Sequence, residues 1–334
     1  MKAISLFSGG LDSILATRVL TEQGIEIEAL HFRLVFVSGE DEKWSDTDSK
    51  RVEGILGARL KIWDVSEEFL EVVKHPKHGY GRNMNPCIDC KIFMLKKAKE
   101  YMKTVGASFL VTGEVLGERP MSQGKNMMRH IEREADLDGL ILRPLSAKLL
   151  PPSVPEKEGW VDREKMFNIQ GRSRKPQIEL AEQYGIPDYP TPAGGCLLTI
   201  PGFAKRMKDL LAHQPDFSLN DVHLLKVGRH FRFSPKTKLI VGRKEEENQK
   251  IQTFSREGDL LFGLARHPGP LSLLRGEPEA GEIEKAAAIT ARYSRSKDLK
   301  NAEVIFWKVS EETRRSLMVS PVLETEIEGM MIYE

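Results

Sequence analysis

Residues 2–13 read KAISLFSGGLDS, and their order decides the fold. KAISLF (2–7) reads as a short buried strand, and LDSILATRVLTEQ (11–23) carries apolar residues at helical spacing before Gly24, a stop signal. Between strand and helix lies Ser8-Gly9-Gly10-Leu11-Asp12-Ser13. A helix that opens directly after a strand offers unpaired N–H groups and a partial positive charge, which favour a phosphate. Gly9 and Gly10 tolerate backbone angles that other residues resist and let phosphate oxygens approach the main chain, while Ser8 and Ser13 add hydroxyls. Asp12 is the odd member, because a carboxylate beside phosphates needs a cation such as Mg²⁺ between them. The plainer reading is an ordinary capped turn; the whole hexapeptide in this context favours the phosphate site. No GxxxxGK pattern followed by Ser or Thr is present, so Walker-type γ-phosphate transfer is not expected.

Outward from this loop the alternation continues. Strands are expected at 25–32, 59–65, 107–113 and 139–144, with helices at 47–58 and 88–104, the order of a doubly wound parallel sheet. Such sheets bind ligands beyond the carboxyl ends of their strands, which places the first loop and the run Thr112-Gly113-Glu114 in one crevice. Three prolines in 150–158 mark a loop, 162–169 and 174–185 read as helices, and IPDYPTPAGGC (186–196) reads as a long shaped loop. From about 203 the character changes: a helix at 203–212, a basic strand-like region at 224–243, further strands, and a helix at 281–293. The expected division is a first domain over 1–205 and a smaller α+β domain over 215–334.

Lys and Arg number 50 against 49 Asp and Glu in 334 residues, a net charge of +1, so any nucleic-acid surface must come from local clustering. Lys226 to Lys244, KVGRHFRFSPKTKLIVGRK, is such a cluster: seven basic residues, no acid, and Phe231 and Phe233 interleaved. Basic groups neutralise phosphates and aromatic faces stack on bases; the competing reading is a strand pair whose Phe side chains point into a core. No apolar run approaches the about 18 residues of a membrane span and no secretory pattern precedes the first strand, so a cytoplasmic protein without membrane partner is expected.

Three cysteines, Cys87, Cys90 and Cys196, argue against a disulfide framework. Cys87 and Cys90 have the C-x-x-C spacing of redox dithiols and metal sites, and only the fold brings Cys196 near them. Zinc with a non-cysteine fourth ligand, a persulfide pair resolving to a disulfide, and a 4Fe-4S cluster on three thiolates are the competing explanations.

The SGGLDS loop resembles the SGGxDS signature of the PP-loop ATP pyrophosphatases, which implies a Rossmann-like (adenine nucleotide alpha hydrolase-like) parallel sheet and cleavage of ATP to AMP and pyrophosphate. The resemblance implies ATP contacts from Ser8, Gly9, Gly10, Leu11, Asp12 and Ser13, Mg²⁺ at Asp12, adenine held at the end of the second strand by His31 and Phe32, and a further contribution from Thr112, Gly113 and Glu114. Thr112-Gly113-Glu114-Val115-Leu116-Gly117-Glu118 with Ser122-Gln123, and Leu142-Arg143-Pro144-Leu145, resemble the TGExLGQxxSQ and ILRPL segments of tRNA 4-thiouridine synthetases, with Glu118 and Arg119 departing from that pattern. Asn85-Pro86-Cys87-Ile88-Asp89-Cys90 resembles the NPCxxC loop of tRNA 2-thiouridine synthetases. In thiolating relatives a late-loop cysteine, here Cys196 in Ala193-Gly194-Gly195-Cys196, returns to the active site, and a subset holds a 4Fe-4S cluster.

GRHFRFSPKTKLIVGRKEEEN resembles the RNA-binding domain of NFACT proteins, which implies RNA contacts from Arg229, His230, Arg232, Lys236, Lys238, Arg243 and Lys244. Together these resemblances imply an ATP-dependent tRNA sulfurtransferase, with Asp12, Cys87, Cys90 and Cys196 catalytic. Its partners are tRNA and a sulfur donor, sulfide or a persulfide-carrying protein, and a homodimer is compatible with it. A PP-loop ligase acting on a small molecule and a non-catalytic RNA-binding protein are the other readings.

Overall fold

The structure is a computed structural model that describes residues 1–38, 46–186, 189, 195–295 and 300–332. These divide into two compact units, Met1–Cys196 and Leu197–Glu334. The division falls earlier than the sequence suggests, because the helix at Pro201–His213 pairs its Asp209 with Arg232 and Lys238 of the second unit.

The first unit alternates β1 (Lys2–Leu6), α1 (Leu11–Thr21), β2 (Glu26–Arg33), α2 (Asp46–Leu56), β3 (Arg59–Asp64), α3 (Ser66–Lys74), α4 (Cys87–Thr104), β4 (Phe109–Thr112), α5 (Lys125–Glu134), β5 (Ile141–Leu142), α6 (Val154–Lys157) and α7 (Lys175–Gln183). Its five strands are parallel in the order β3-β2-β1-β4-β5. This is the Rossmann-like sheet, and the strand order reverses between β1 and β4, where such sheets open a crevice. Leu6 lies opposite Leu30 on one side and Thr112 on the other, so the turn after β1 and the turn after β4 leave the sheet side by side. β1 and α1 are locked together by Ala3, Leu11, Leu15 and Leu20 in the core, and by a buried Ser5–Thr17 hydroxyl pair at 2.7 Å.

Expected and observed elements differ where long-range contacts outrank local pattern. The helix expected at 162–169 is a single 3-10 turn, Arg163–Lys165, capped by Asp162 accepting from the Glu164 N–H at 2.9 Å. Phe167 and Ile169 then donate to the carbonyls of Pro144 and Leu145, which draws the chain out along the segment after β5. The strand expected at 139–144 is only Ile141–Leu142. Helices α3 and α5 were not expected. Of the loop expected at 186–196, residues 187, 188 and 190–194 lie outside the described residues.

The second unit contains α8 (Pro201–His213), α9 (Leu219–Leu225), β6 (Arg229–Ser234), β7 (Thr237–Val241), α10 (Glu245–Thr253), β8 (Leu260–Leu264), β9 (Ser272–Gly276), α11 (Glu282–Arg292), β10 (Ala302–Lys308), β11 (Arg315–Val319) and α12 (Glu324–Ile327). Its antiparallel sheet runs β11-β10-β8-β9-β7-β6. Phe231, Phe262 and Ala287 share one core, and Leu224, Ile240 and Ile251 another. Arg275 ties α9 to the sheet through ion pairs to Asp221 and Asp259, each at 2.7 Å. Among the described residues no helix is long and apolar enough to cross a membrane.

Candidate functional site

The loop after β1 turns on Gly9, whose φ of +79° is the left-handed region glycine adopts at little cost. Gly10 is the N-cap of α1 and no side chain caps it, so the first N–H groups of the helix are left for another acceptor. Ser13 Oγ donates to the Gly10 carbonyl at 2.7 Å and accepts from the Ser8 N–H at 3.3 Å, which holds the loop curled over the helix end. Gly113 abuts this turn: a Cβ there would lie 2.5 Å from the Asp12 carbonyl carbon and 2.6 Å from the Ser13 nitrogen. Only glycine permits that approach.

Asp12 points into the crevice with Oδ1 buried and without a hydrogen-bond partner. Burial pushes its carboxyl above the usual carboxylate range, against the opposing pull of Gln177, Arg174 and Arg119. A buried carboxylate oxygen with an open lone pair beside an uncapped helix N-terminus fits a magnesium ion shared with a polyphosphate. Glu114, by contrast, is fully committed. Burial would raise it, but Lys91 and Arg143 outweigh that and hold it down to about 2. Arg143 Nε donates to Glu114 at 2.8 Å, and its Nη1 reaches Glu132. Glu114 therefore anchors the β4 turn to α4 and to the segment after β5.

Cys87 and Cys90 both lie in the first turn of α4. Cys196 is brought over by an antiparallel bridge to Val37, beside the Ser38 N–H donating to the Gly195 carbonyl at 2.9 Å. Burial pushes the Cys90 thiol well above the ordinary range, and the neighbouring Cys196 and Cys87 push it further, so the three sulfurs occupy one locality. Cys87 is also raised by burial, with Arg119 and Lys91 working in the other direction. Cys87 and Cys90 are free thiols. Three clustered thiols without a fourth in the chain fit a 4Fe-4S cluster with one iron not held by protein. Arg119 acts on Asp12, Cys87 and Cys90 alike, which joins the helix-end site and the thiols into one crevice.

His31 and Phe32 are packed rather than displayed: the His31 ring bonds the Phe7 carbonyl at 2.9 Å and Phe32 lies against Trp63. Their main chain runs beyond the last β1–β2 pair, Leu6 with Leu30, so backbone and not side chain is what this strand end offers. Thr112 is buried at the strand end, 3.3 Å from Glu114. Ser122 and Gln123 shape the loop from within, with Gln123 Oε1 accepting from the Arg119 N–H at 2.9 Å. Lys91, Arg174, Gln177 and Glu132 were missed from sequence. Arg174 and Gln177 belong to the start of α7, far along the chain from Asp12, and nothing local marks them.

The basic segment of the second unit requires correction. His230 is 1% exposed and Lys238 8%: β7 is flanked by β6 and β9, and the edge strand β6 is covered at Met330 and Ile332, so neither side chain is displayed to solvent. Arg232 is spent on Asp209 through two bonds of 3.1 and 2.7 Å. Phe231 is fully buried, so the core reading holds for it. Arg243, Lys244 and Lys236 are exposed, the last two paired with Glu246 and Glu277. Arg229 lies over the Tyr293 ring at 4.4 Å.

A parallel sheet with an uncapped, glycine-built helix end at its switch point defines a nucleotide-binding α/β unit. Residues 1–148 match the family described as Thiamine biosynthesis protein (ThiI), and residues 228–331 match the NFACT protein RNA binding domain. The tRNA-specific 2-thiouridylase MnmA of Mycobacterium ulcerans is 28% identical over 200 residues, 56% of this chain and 50% of that protein. Its counterpart in Marinobacter nauticus is 24% identical over 315 residues, 82% and 74% of the respective chains. The U34-tRNA thiolase NcsA from Methanococcus maripaludis, solved with its 4Fe-4S cluster, covers 68% of this chain and 71% of its own at 15% identity and a TM-score of 0.35, too low a likeness to carry a functional conclusion. Over its first 148 residues the chain is thus similar to the thiamine biosynthesis protein (ThiI) family, and over a longer stretch to tRNA-specific 2-thiouridylases. It spans about half the length of the Mycobacterium relative it matches.

Proposed function

We propose that the protein is an ATP-dependent tRNA-uridine sulfurtransferase, with thiolation at C4 preferred over C2. The observation that carries this reading is the single crevice in which Arg119 acts on Asp12, at the open end of α1, and on Cys87 and Cys90, with Cys196 beside Cys90. A uridine carbonyl oxygen attacks the α-phosphorus of ATP, the bond to pyrophosphate breaks, and the adenylated base then loses AMP to a sulfur nucleophile. Adenylation converts a poor leaving oxygen into a good one. The backbone of residues 8–13 would face the charge that develops on the phosphates, and Asp12 would hold a Mg²⁺ that neutralises part of that charge. Gly113 lets the β4 turn close against this loop, while Glu114, held by Lys91 and Arg143, fixes that turn in place.

Cys87, Cys90 and Cys196 would hold a 4Fe-4S cluster, which when bound presents an iron able to take up exogenous sulfide. Sulfide or a persulfide-carrying protein is the source of sulfur. Arg119 and Lys91 favour anionic sulfur at Cys87. In the second unit, the exposed Arg243, Lys244 and Lys236 are the groups assigned to tRNA phosphates.

The test is anaerobic incubation of the purified chain with unmodified tRNA, Mg·ATP and sulfide, followed by nucleoside mass spectrometry and pyrophosphate measurement. A thiolated uridine, formed with AMP and pyrophosphate and lost in Asp12→Ala, is expected. Iron and acid-labile sulfide near four each per chain, lost on replacing any one cysteine, supports the cluster. Thiolation by metal-free protein when a persulfide-carrying protein replaces sulfide as donor eliminates it in favour of a persulfide–disulfide route, and pyrophosphate release with no tRNA product overturns the assignment of substrate.

A further inference from the structure

Outside the crevice, His78, His130 and Glu134 bring one ligand atom each within 4.8 Å of one another. His130 and Glu134 are four residues apart on α5 and so share a face of that helix. His78 comes from the segment between α3 and α4. Its Nε2 lies 3.1 Å from His130 Nε2, with the two rings at 83° to each other. Two imidazoles on one tetrahedral zinc, at about 2.0–2.1 Å per bond, have their nitrogens about 3.3 Å apart. The pair already stands at nearly chelating separation.

A second, independent feature orients the first of these ligands. Asp89, 9% exposed, accepts from His78 Nδ1 at 2.8 Å through one oxygen and from the His78 N–H at 2.9 Å through the other. With Nδ1 carrying the proton toward the carboxylate, the lone pair of Nε2 faces His130. A carboxylate behind a histidine in this way fixes the tautomer and raises the basicity of a metal-binding nitrogen. Glu134 is held by Lys77 through both oxygens, at 2.8 and 2.6 Å, and Lys77 is largely exposed, so it can be displaced into water.

We infer that His78, His130 and Glu134 form a binding site for a divalent first-row transition metal, zinc by its ligand set, with Asp89 as its positioning residue. Two nitrogens and one carboxylate oxygen leave a fourth position for water. Without metal, the two rings stand as a hydrogen-bonded pair through their Nε2 atoms. Asp89 stands between Cys87 and Cys90 in the first turn of α4. Metal at this site clamps α5 and the 75–86 segment to the turn that bears two of the three thiols. The inference does not rest on the thiolation reading, since metal binding is read without substrate.

The experiment uses the full chain with Cys87, Cys90 and Cys196 all replaced by Ser, which removes thiolate competition. After EDTA treatment and dialysis, Zn²⁺ binding is followed by calorimetry, and Co²⁺ by its visible spectrum. One equivalent is expected, with no sulfur-to-cobalt charge transfer and a rise in Tm on adding Zn²⁺. His130→Gln is expected to weaken binding at least 100-fold, and Asp89→Asn 10- to 100-fold with stoichiometry kept. Absence of binding, or binding unchanged by His130→Gln, overturns the site and leaves a hydrogen-bonded histidine pair. If the triple-cysteine variant does not fold, His130→Gln in the otherwise unaltered chain is compared by metal analysis after zinc loading. Loss of one zinc equivalent supports the site and an unchanged content overturns it.

Discussion

Replacing Gly113 by Ala tests whether the close approach of the two turns sets the crevice. The new methyl would meet main-chain atoms of Asp12 and Ser13 at 2.5 to 2.6 Å, whereas ordinary contact begins at 3.4 Å. Because the obstructing atoms are backbone at the start of a buried helix, the β4 turn must retreat by about 1 Å, and overpacking of this kind costs about 1–3 kcal/mol. A displacement of about 1 Å between reacting groups costs about 100-fold in rate. The assay is tRNA-dependent pyrophosphate release from ATP, with urea unfolding run in parallel. Gly54→Ala is the control: it lies within α2 with nothing within 4 Å of the added methyl, and should leave kcat/KM unchanged. The reasoning is refuted if Gly113→Ala folds and keeps kcat/KM within threefold of the parent, because the turn would then have room that the structure denies it.

Glu114→Gln removes a carboxylate held at about 2 instead of 4.5, so it should destabilise the protein at pH 7 by about 3 kcal/mol. The lowered value means that Glu114 stabilises fully above pH 4.5 and progressively less as pH falls toward 2, so urea midpoints of the variant should lose that part of the acid dependence. Asp12→Asn should go the other way in stability. Burial raises its pKa, so the charged carboxylate weakens the fold as pH rises past 3.8, and the variant should show an equal or higher Tm at neutral pH while adenylation falls at least 100-fold. Lys238→Met should leave the salt dependence of tRNA binding unchanged because Lys238 is buried beside Asp209, whereas Arg243→Ala should lower the slope of log affinity against log salt by about one. A slope altered equally by both would show that the buried lysine is reached by RNA after all.

By itself, the sequence determined the parallel α/β architecture and the helix-end loop. Both are written locally: strand, two glycines and amphipathic helix follow one another within residues 2–23, and the backbone chemistry of that turn needs no distant partner. It also marked Cys87 and Cys90, whose spacing is a helical-turn property. Tertiary structure alone decided the rest. Arg174 and Gln177 reach Asp12 only because α7 packs on α1, and Cys196 joins the other thiols only through its bridge to Val37. The basic segment misled because charge in a sequence says nothing of direction: Lys238 and His230 are buried, and Arg232 is taken up by Asp209 of α8. Conversely, His130 and Glu134 have only the common i,i+4 spacing of α5, His78 precedes α4 far along the chain, and only the packing of those elements brings the three ligand atoms together. Local backbone chemistry is legible in order along the chain; a site made of side chains from separate elements exists only once the core has fixed where those elements meet.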